Sequence, residues 1–202
     1  MKENYQIILD KTLKSLKERK KLLLHSCCGP CSSYVLNYLT NYFDITVYYY
    51  NPNIHPKKEY LKRMNEQKRL IKELNNPGIT FLNANYNSND YFKRVKGFEE
   101  LEEGSIRCHI CFHLRMEKAA KYALANNFDY FATTLSVSPY KNSMVLNDIG
   151  LQLEEDLNIK YLQADFKKKE GYKKSIMLSK EYSLYRQEYC GCIYSLNKEK
   201  KF

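Results

Sequence analysis

The chain has 202 residues, 28% of them charged, and Lys plus Arg exceed Asp plus Glu by 33 to 23, for a formal net charge of +10. This length supports one domain with a sizeable buried core. No stretch approaches the ~20 consecutive apolar residues of a membrane span, and Met1–Lys20 lacks the apolar core and cleavage site of a secretory signal, so a soluble cytoplasmic protein with a polyanionic partner, nucleic acid first, is expected.

In chain order, Met1–Lys20 has helical periodicity, with Ile7, Ile8, Leu13 and Leu16 on one side. Short apolar runs at 21–25, 45–50, 79–82, 130–133 and 159–162 have the length and composition of strands. Helical stretches are expected between and after them at 32–42, 57–75, 89–101, 111–126 and 143–157. This alternation predicts an α/β fold, a mainly parallel sheet of about five strands with helices on both faces. Turn formers fall between the elements, at Gly29-Pro30, Asn51-Pro52, Asn76-Pro77-Gly78 and Ser138-Pro139. From Asp165 onward a basic run gives way to an aromatic-rich stretch with no further strand pattern. It is expected to be an extension over residues 165–202 that packs over the site of a single domain spanning 1–202.

The seven cysteines fall into three groups: Cys27, Cys28 and Cys31; Cys108 and Cys111; Cys190 and Cys192. Structural disulfides are rare in cytosolic proteins, where clustered cysteines more often bind metal or do redox work. The groups lie about 80 residues apart, so only folding can bring them together. The first follows the first strand, where sites of parallel sheets form. The second opens a helix, whose N-terminal N–H groups favour thiolates. Two such pairs suffice for the four-sulfur shell of zinc or of an iron–sulfur cluster. The wide separation of the pairs fits a zinc ribbon or finger poorly.

Only seven glycines occur, and neither G-x-G-x-x-G nor G-x-x-x-x-G-K-[ST] is present, which argues against dinucleotide and P-loop sites. Where a phosphate loop would follow the first strand, the chain has Cys27 to Cys31 with Ser32 and Ser33 after it.

Several blocks in order, LLLHSCCGPCS (22–32), YYYNPNIHPKKEYLKR (48–63), RCHICFHLRMEKAA (107–120), FATTLSVSPYKN (131–142) and the long block 164–195 ending in EYCGCIYS, resemble the QueH family of epoxyqueuosine reductases. The resemblance spans nearly the whole chain. It implies a fold of the nucleotide α-hydrolase or PP-loop type and reduction of the epoxide of epoxyqueuosine at the tRNA wobble position to give queuosine. It also implies a 4Fe-4S cluster on Cys27, Cys28, Cys108 and Cys111, a redox-active pair at Cys190 and Cys192, and as partners an epoxyqueuosine-containing tRNA and an electron donor. Cys31 is left open as a redox group or, with Cys190 and Cys192, a ligand of a second metal ion.

His55, at the end of the second strand, is a candidate for substrate contact, with Tyr60 and Arg63 on the following helix able to reach the same crevice. Lys167, Lys168 and Lys169, beside Phe166 and Tyr172, mix charge with rings as nucleic-acid surfaces do. For His25, core hydrogen bonding and function are equally expected. The rival classes are a zinc-stabilised nucleic-acid-binding module and a thiol–disulfide oxidoreductase using Cys190 and Cys192. An adenylating PP-loop enzyme is disfavoured by the missing glycine-rich pyrophosphate loop.

Overall fold

The computed structural model describes residues 3–199, so Met1, Lys2 and residues 200–202 lie outside it. Five strands, β1 (Lys20–His25), β2 (Phe43–Tyr49), β3 (Ile79–Asn83), β4 (Tyr130–Thr133) and β5 (Lys160–Tyr161), form one sheet in the order β3-β2-β1-β4-β5. Every pairing is parallel. The helices are α1 (Tyr5–Ser15), α2 (Gly29–Leu39), α3 (Lys57–Leu74), α4 (Ser88–Val95), α5 (Ile106–Ala125), α6 (Ser143–Leu157), α7 (Gly171–Glu181) and α8 (Ile193–Glu199).

The central strand β1 is buried on both faces, and the period-two alternation of side chains divides its leucines between two cores. Leu22 and Leu24 join Leu9, Val35, Leu36, Ile45 and Val47 on one side of the sheet. Leu23 joins Tyr48, Ala119, Ala120, Phe131 and Leu146 on the other. Together the two cores cover both faces of the sheet, the first drawing residues from α1 and α2, the second from α4, α5 and α6.

The expected elements are present, with three differences at their margins. α4 stops at Val95 rather than running to Leu101, because Gly97 takes a left-handed conformation (φ 88°). β5 shortens to two residues at the sheet edge. The tail, which shows no further strand pattern in the sequence, forms α7 packed on α2, followed by α8. The sequence signal for α7 is weak because its apolar stripe is short and its first turn is lysine-rich.

Topology positions the site. From β1 the chain winds outward through β2 and β3, then returns to place β4 on β1's other side. The carboxyl ends of β1 and β4 therefore flank a topological switch point, the usual ligand crevice of open α/β sheets. His25 fastens this point. Its ring is fully buried, with Nδ1 2.9 Å from Thr133 Oγ1 and Nε2 3.2 Å from the Tyr50 carbonyl oxygen. Burial drives its pKa down to about 3, so the ring is neutral, donating through Nε2 and accepting through Nδ1. His25 is therefore a core residue that ties β1 to β4 and to the end of β2.

The contact of α7 with the body of the fold depends on Gly171. A Cβ there would fall on the Phe166 carbonyl oxygen with the Tyr34 ring beside it, and neither can retreat. Gly171→Ala is expected to lower the unfolding free energy by about 2–3 kcal/mol, as overpacking does in cores, measured by urea denaturation against wild type. An unchanged midpoint would show that α7 can shift at no cost.

Candidate metal and redox centre

Cys27 and Cys28 occupy the turn between β1 and α2, and Cys28 is the N-cap of α2, whose first turn carries Gly29, Pro30 and Cys31. Proline suits this first turn because its missing N–H would have no partner there. The three Sγ atoms lie within 4.8 Å of one another, the sole such group of potential metal ligands among the described residues. Hydrogen bonds from Cys28 and Cys31 hold the Cys27 thiol well below its ordinary pKa, while the bond to Cys27 pushes Cys28 up to about 12 and the bonds to Cys27 and Cys28 push Cys31 well above its normal range. The crowding of three thiols thus favours charge on Cys27 and disfavours it on its two neighbours. The turn is held from behind by Gln67 of α3, whose Oε1 lies 2.9 Å from Ser26 Oγ and 2.6 Å from Ser32 Oγ. Gln187 Nε2 donates to Cys28 Sγ at 3.1 Å.

Cys108 and Cys111 stand one turn apart at the start of α5, on one helix face. The Gly104 N–H donates to Cys108 Sγ at 3.2 Å. Burial pushes Cys111 up to about 12, opposed by the Arg115 guanidinium. Cys27, Cys28, Cys111 and Cys192 belong to one buried cluster, with Cys31 and Cys108 packed against it. Arg115 interacts electrostatically with Cys111, Cys27, Cys190 and Cys108, so all three groups meet around one guanidinium.

The third group is placed by α3. Arg69 Nη2 donates to the carbonyls of Tyr182 (2.9 Å) and Ser183 (3.2 Å), and Glu66 Oε1 receives the Tyr185 N–H at 2.6 Å. Arg63, 1% exposed, donates to the carbonyls of Tyr189 (3.1 Å) and Cys190 (3.2 Å) while Glu59 holds its Nε at 2.6 Å. From the loop before α3, the His55 N–H donates to the Gly191 carbonyl at 2.7 Å and the His55 carbonyl accepts from Tyr189 Oη at 2.6 Å. Gly191 sits at φ 105°, and a Cβ there would press on Ile54 and Arg63. Cys192 is 8% exposed, its Sγ 2.9 Å from Tyr91 Oη.

Between the ends of β1 and β4 and the 186–190 segment lies a cavity of about 530 Å³, into which Cys31, Cys190, Lys141, Glu103, Arg186 and Tyr189 project. Thiolates are the ligands that select zinc, copper(I) and iron–sulfur clusters, and a four-iron cluster, wider than a single ion, needs its sulfurs around a volume rather than at a point. Buried cysteines from two helix starts, with Arg115 and Lys141 to balance their charge, fit such a cluster.

Of the residues singled out from sequence, all seven cysteines are brought into this region. The expected substrate contacts are placed differently. Arg63 and Tyr60 are buried, Tyr60 Oη donating to Asn83 Oδ1 at 2.9 Å, and neither lines the cavity. His55 lies under the Cys190–Cys192 loop, its ring against Phe92. Lys167 is turned inward, Nζ on the carbonyls of Ser136 and Lys141 and 3.0 Å from Asp165. Lys168 is exposed, and Lys169 is exposed but paired with Asp10 at 2.7 Å. Sequence reading passed over Lys141, Glu103, Arg115 and Gln187. Three of them lie within the blocks quoted above, but single charged or amide residues carry no periodic signal.

Residues 22–198 match the family model described as epoxyqueuosine reductase QueH. The chain is 42% identical to the epoxyqueuosine reductase QueH of Staphylococcus epidermidis, over 98% of this chain and 87% of that one. It is 44% identical to that of Streptococcus pyogenes serotype M1 (96% and 78%) and 35% identical to that of Thermotoga maritima (87% and 90%). The fold is shared with a U34-tRNA thiolase, NcsA from Methanococcus maripaludis, solved with its [4Fe-4S] cluster, at a TM-score of 0.55 and 14% identity over 95% of this chain and 67% of that one.

The anchorage of the third cysteine group is open to direct measurement. Arg63→Met removes two charge-assisted hydrogen bonds to the loop, each worth about 1.5–3 kcal/mol, and is expected to speed alkylation of Cys192 by about tenfold or more. Unchanged alkylation would show that the loop is held without the guanidinium.

Proposed function

The chain belongs to the epoxyqueuosine reductase QueH family, and from that premise we propose that it reduces the epoxide of epoxyqueuosine in tRNA to the alkene of queuosine. The observation that carries this reading is the meeting of three distant cysteine groups in one buried cluster, from which Cys31 and Cys190 open into a cavity. Cys27, Cys28, Cys108 and Cys111 would hold a 4Fe-4S cluster, which when bound would pass electrons one at a time from the external donor to the site.

The reaction takes two electrons and two protons. Both C–O bonds of the epoxide break, a C=C bond forms, and the oxygen leaves as water. Cys190 and Cys192, passing from dithiol to disulfide, release two electrons and two protons and so balance this change, and an external electron donor then restores the dithiol. Cys190 opens into the cavity and Cys192 lies behind it against Tyr91. Lys141 supplies fixed positive charge beside the departing oxygen, since it lines the cavity and interacts with Cys190, Cys27 and Cys31. A second role for the pair is ligation of a single metal ion together with Cys31, favoured by the exposure of both Cys31 and Cys190 to the same cavity.

The tRNA backbone meets positive charge at Arg186 on the cavity rim and at Lys168 and Lys169. Such contacts weaken as salt rises. No helix among the described residues is long and apolar enough to cross a membrane, and work on tRNA places the protein in the cytoplasm.

Anaerobically purified protein is expected to be brown, with about four irons and matching sulfide, and to convert epoxyqueuosine in tRNA when given a low-potential reductant. Cys111→Ser should lose the cluster, whereas Cys192→Ser should keep its absorbance and lose turnover. Colourless protein with stoichiometric zinc would overturn the cluster, and full activity in Cys192→Ser would remove that thiol from the chemistry. Iron counting in the double variant Cys190→Ser/Cys192→Ser separates the two roles of the pair: one iron lost with the cluster spectrum intact means a second metal, and none lost means a dithiol.

A further inference from the structure

Arg115 is 1% exposed, and its only hydrogen bond among the described residues runs from Nε to the Cys111 carbonyl one turn earlier on α5, at 3.1 Å. Nη2 is buried without a partner. No carboxylate is paired with it among the described residues. Of the other arginines buried near the cysteines, Arg63 has Glu59 at 2.6 Å and two loop carbonyls besides, and Arg107 donates to the Glu99 carbonyl at 2.6 Å and lies over the Tyr194 ring. A guanidinium stays charged in a protein, and a buried charge is costly unless something of opposite sign faces it. What faces Arg115, besides the Phe112 ring 5.7 Å away, is sulfur of the opposite sign when ionised: the thiols of Cys111, Cys27, Cys190 and Cys108. Its place in sequence, four residues after Cys111 and seven after Cys108, sets all three on one face of the helix.

We propose that Arg115 sets the reduction potential of the cysteine-bound centre, its fixed positive charge favouring the reduced form. The inference rests on the cluster assignment above and adds a residue that binds neither metal nor substrate. A centre held by four thiolates becomes one unit more negative on taking an electron, and a nearby cation lowers the energy of that state. Lys141 adds charge of the same sign, but it lines the open cavity, where water and substrate screen it. Arg115 lies behind the cysteines, in the dry core, and keeps its effect throughout turnover.

The test is an anaerobic redox titration of the iron-loaded protein, followed by absorbance and electron paramagnetic resonance, for wild type, Arg115→Met and Arg115→Lys. At a fixed potential, the ratio of reduced to oxidised centre is expected to fall by about tenfold or more in Arg115→Met, a drop of about 59 mV for a one-electron couple. Arg115→Lys, which keeps the charge, is expected to stay within about threefold of wild type. An unshifted midpoint in Arg115→Met with the spectrum intact overturns the proposal, as does an equal shift in both variants, which would mean shape rather than charge. If Arg115→Met takes up no iron, Arg115→Lys decides: a wild-type midpoint supports the proposal, and a lost or shifted centre overturns it. Wild-type protein that binds no iron overturns the cluster assignment and this inference together, whereas a normal wild-type spectrum with an unshifted Met variant overturns this inference alone.

Discussion

The site is closed by one guanidinium gripping two carbonyls. Arg63 holds the backbone of Tyr189 and Cys190, and without that grip the third cysteine group would be a surface loop about 80 residues of chain away from the second. Helix α3 acts as a rail for the whole segment, with Arg69 and Glu66 holding its start and Arg63 and the His55 backbone its end. Bonds to main-chain carbonyls fix the path of a loop whatever its side chains, which suits a segment whose own side chains are needed for chemistry. Glu59 neutralises Arg63, so the clamp leaves no uncompensated charge.

Arg63 and Arg115, two of the three arginines buried near the cysteines among the described residues, thus do different work with the same side chain. Arg63 is satisfied by protein oxygen and serves geometry. Arg115 meets one carbonyl, the Phe112 ring and a field of thiols. The pKa pattern makes the same point: the hydrogen bond with Cys27 pushes Cys28 up to about 12, and burial pushes Cys111 up to about 12. Metal binding must expel the thiol protons, and the interior cations lower the cost of the negative charge that results.

The β1–α2 turn of this fold elsewhere carries a glycine-rich cradle for phosphate, because a helix start offers free N–H groups and positive potential. Here Cys27, Cys28 and Cys31 use that same potential for sulfur. The start of α5 does so a second time with Cys108 and Cys111. Parallel topology brings the two helix starts to the same edge of the sheet, since each crossover returns the chain to the side from which it left.

Strand and helix order, the parallel sheet, the three cysteine groups and the absence of a phosphate loop were legible in the chain because each is written in neighbouring residues: period two or 3.6, turn formers, fixed short spacings. The family blocks added an expectation of which cysteines take which role. What the chain could not disclose is how exposed a side chain ends up and what it meets across a hundred residues. His55, Tyr60, Arg63 and Lys167 have the look of solvent-facing binding groups, yet three of them turn inward or lie buried to hold main-chain or side-chain oxygens and the fourth is covered by the loop it anchors. Lys141 and Arg115, unremarkable in sequence, become charges that act on the thiols of several cysteine groups at once. Burial and electrostatic partnership depend on three-dimensional distance, and that distance is set only when the sheet closes and the tail is tied down along α3.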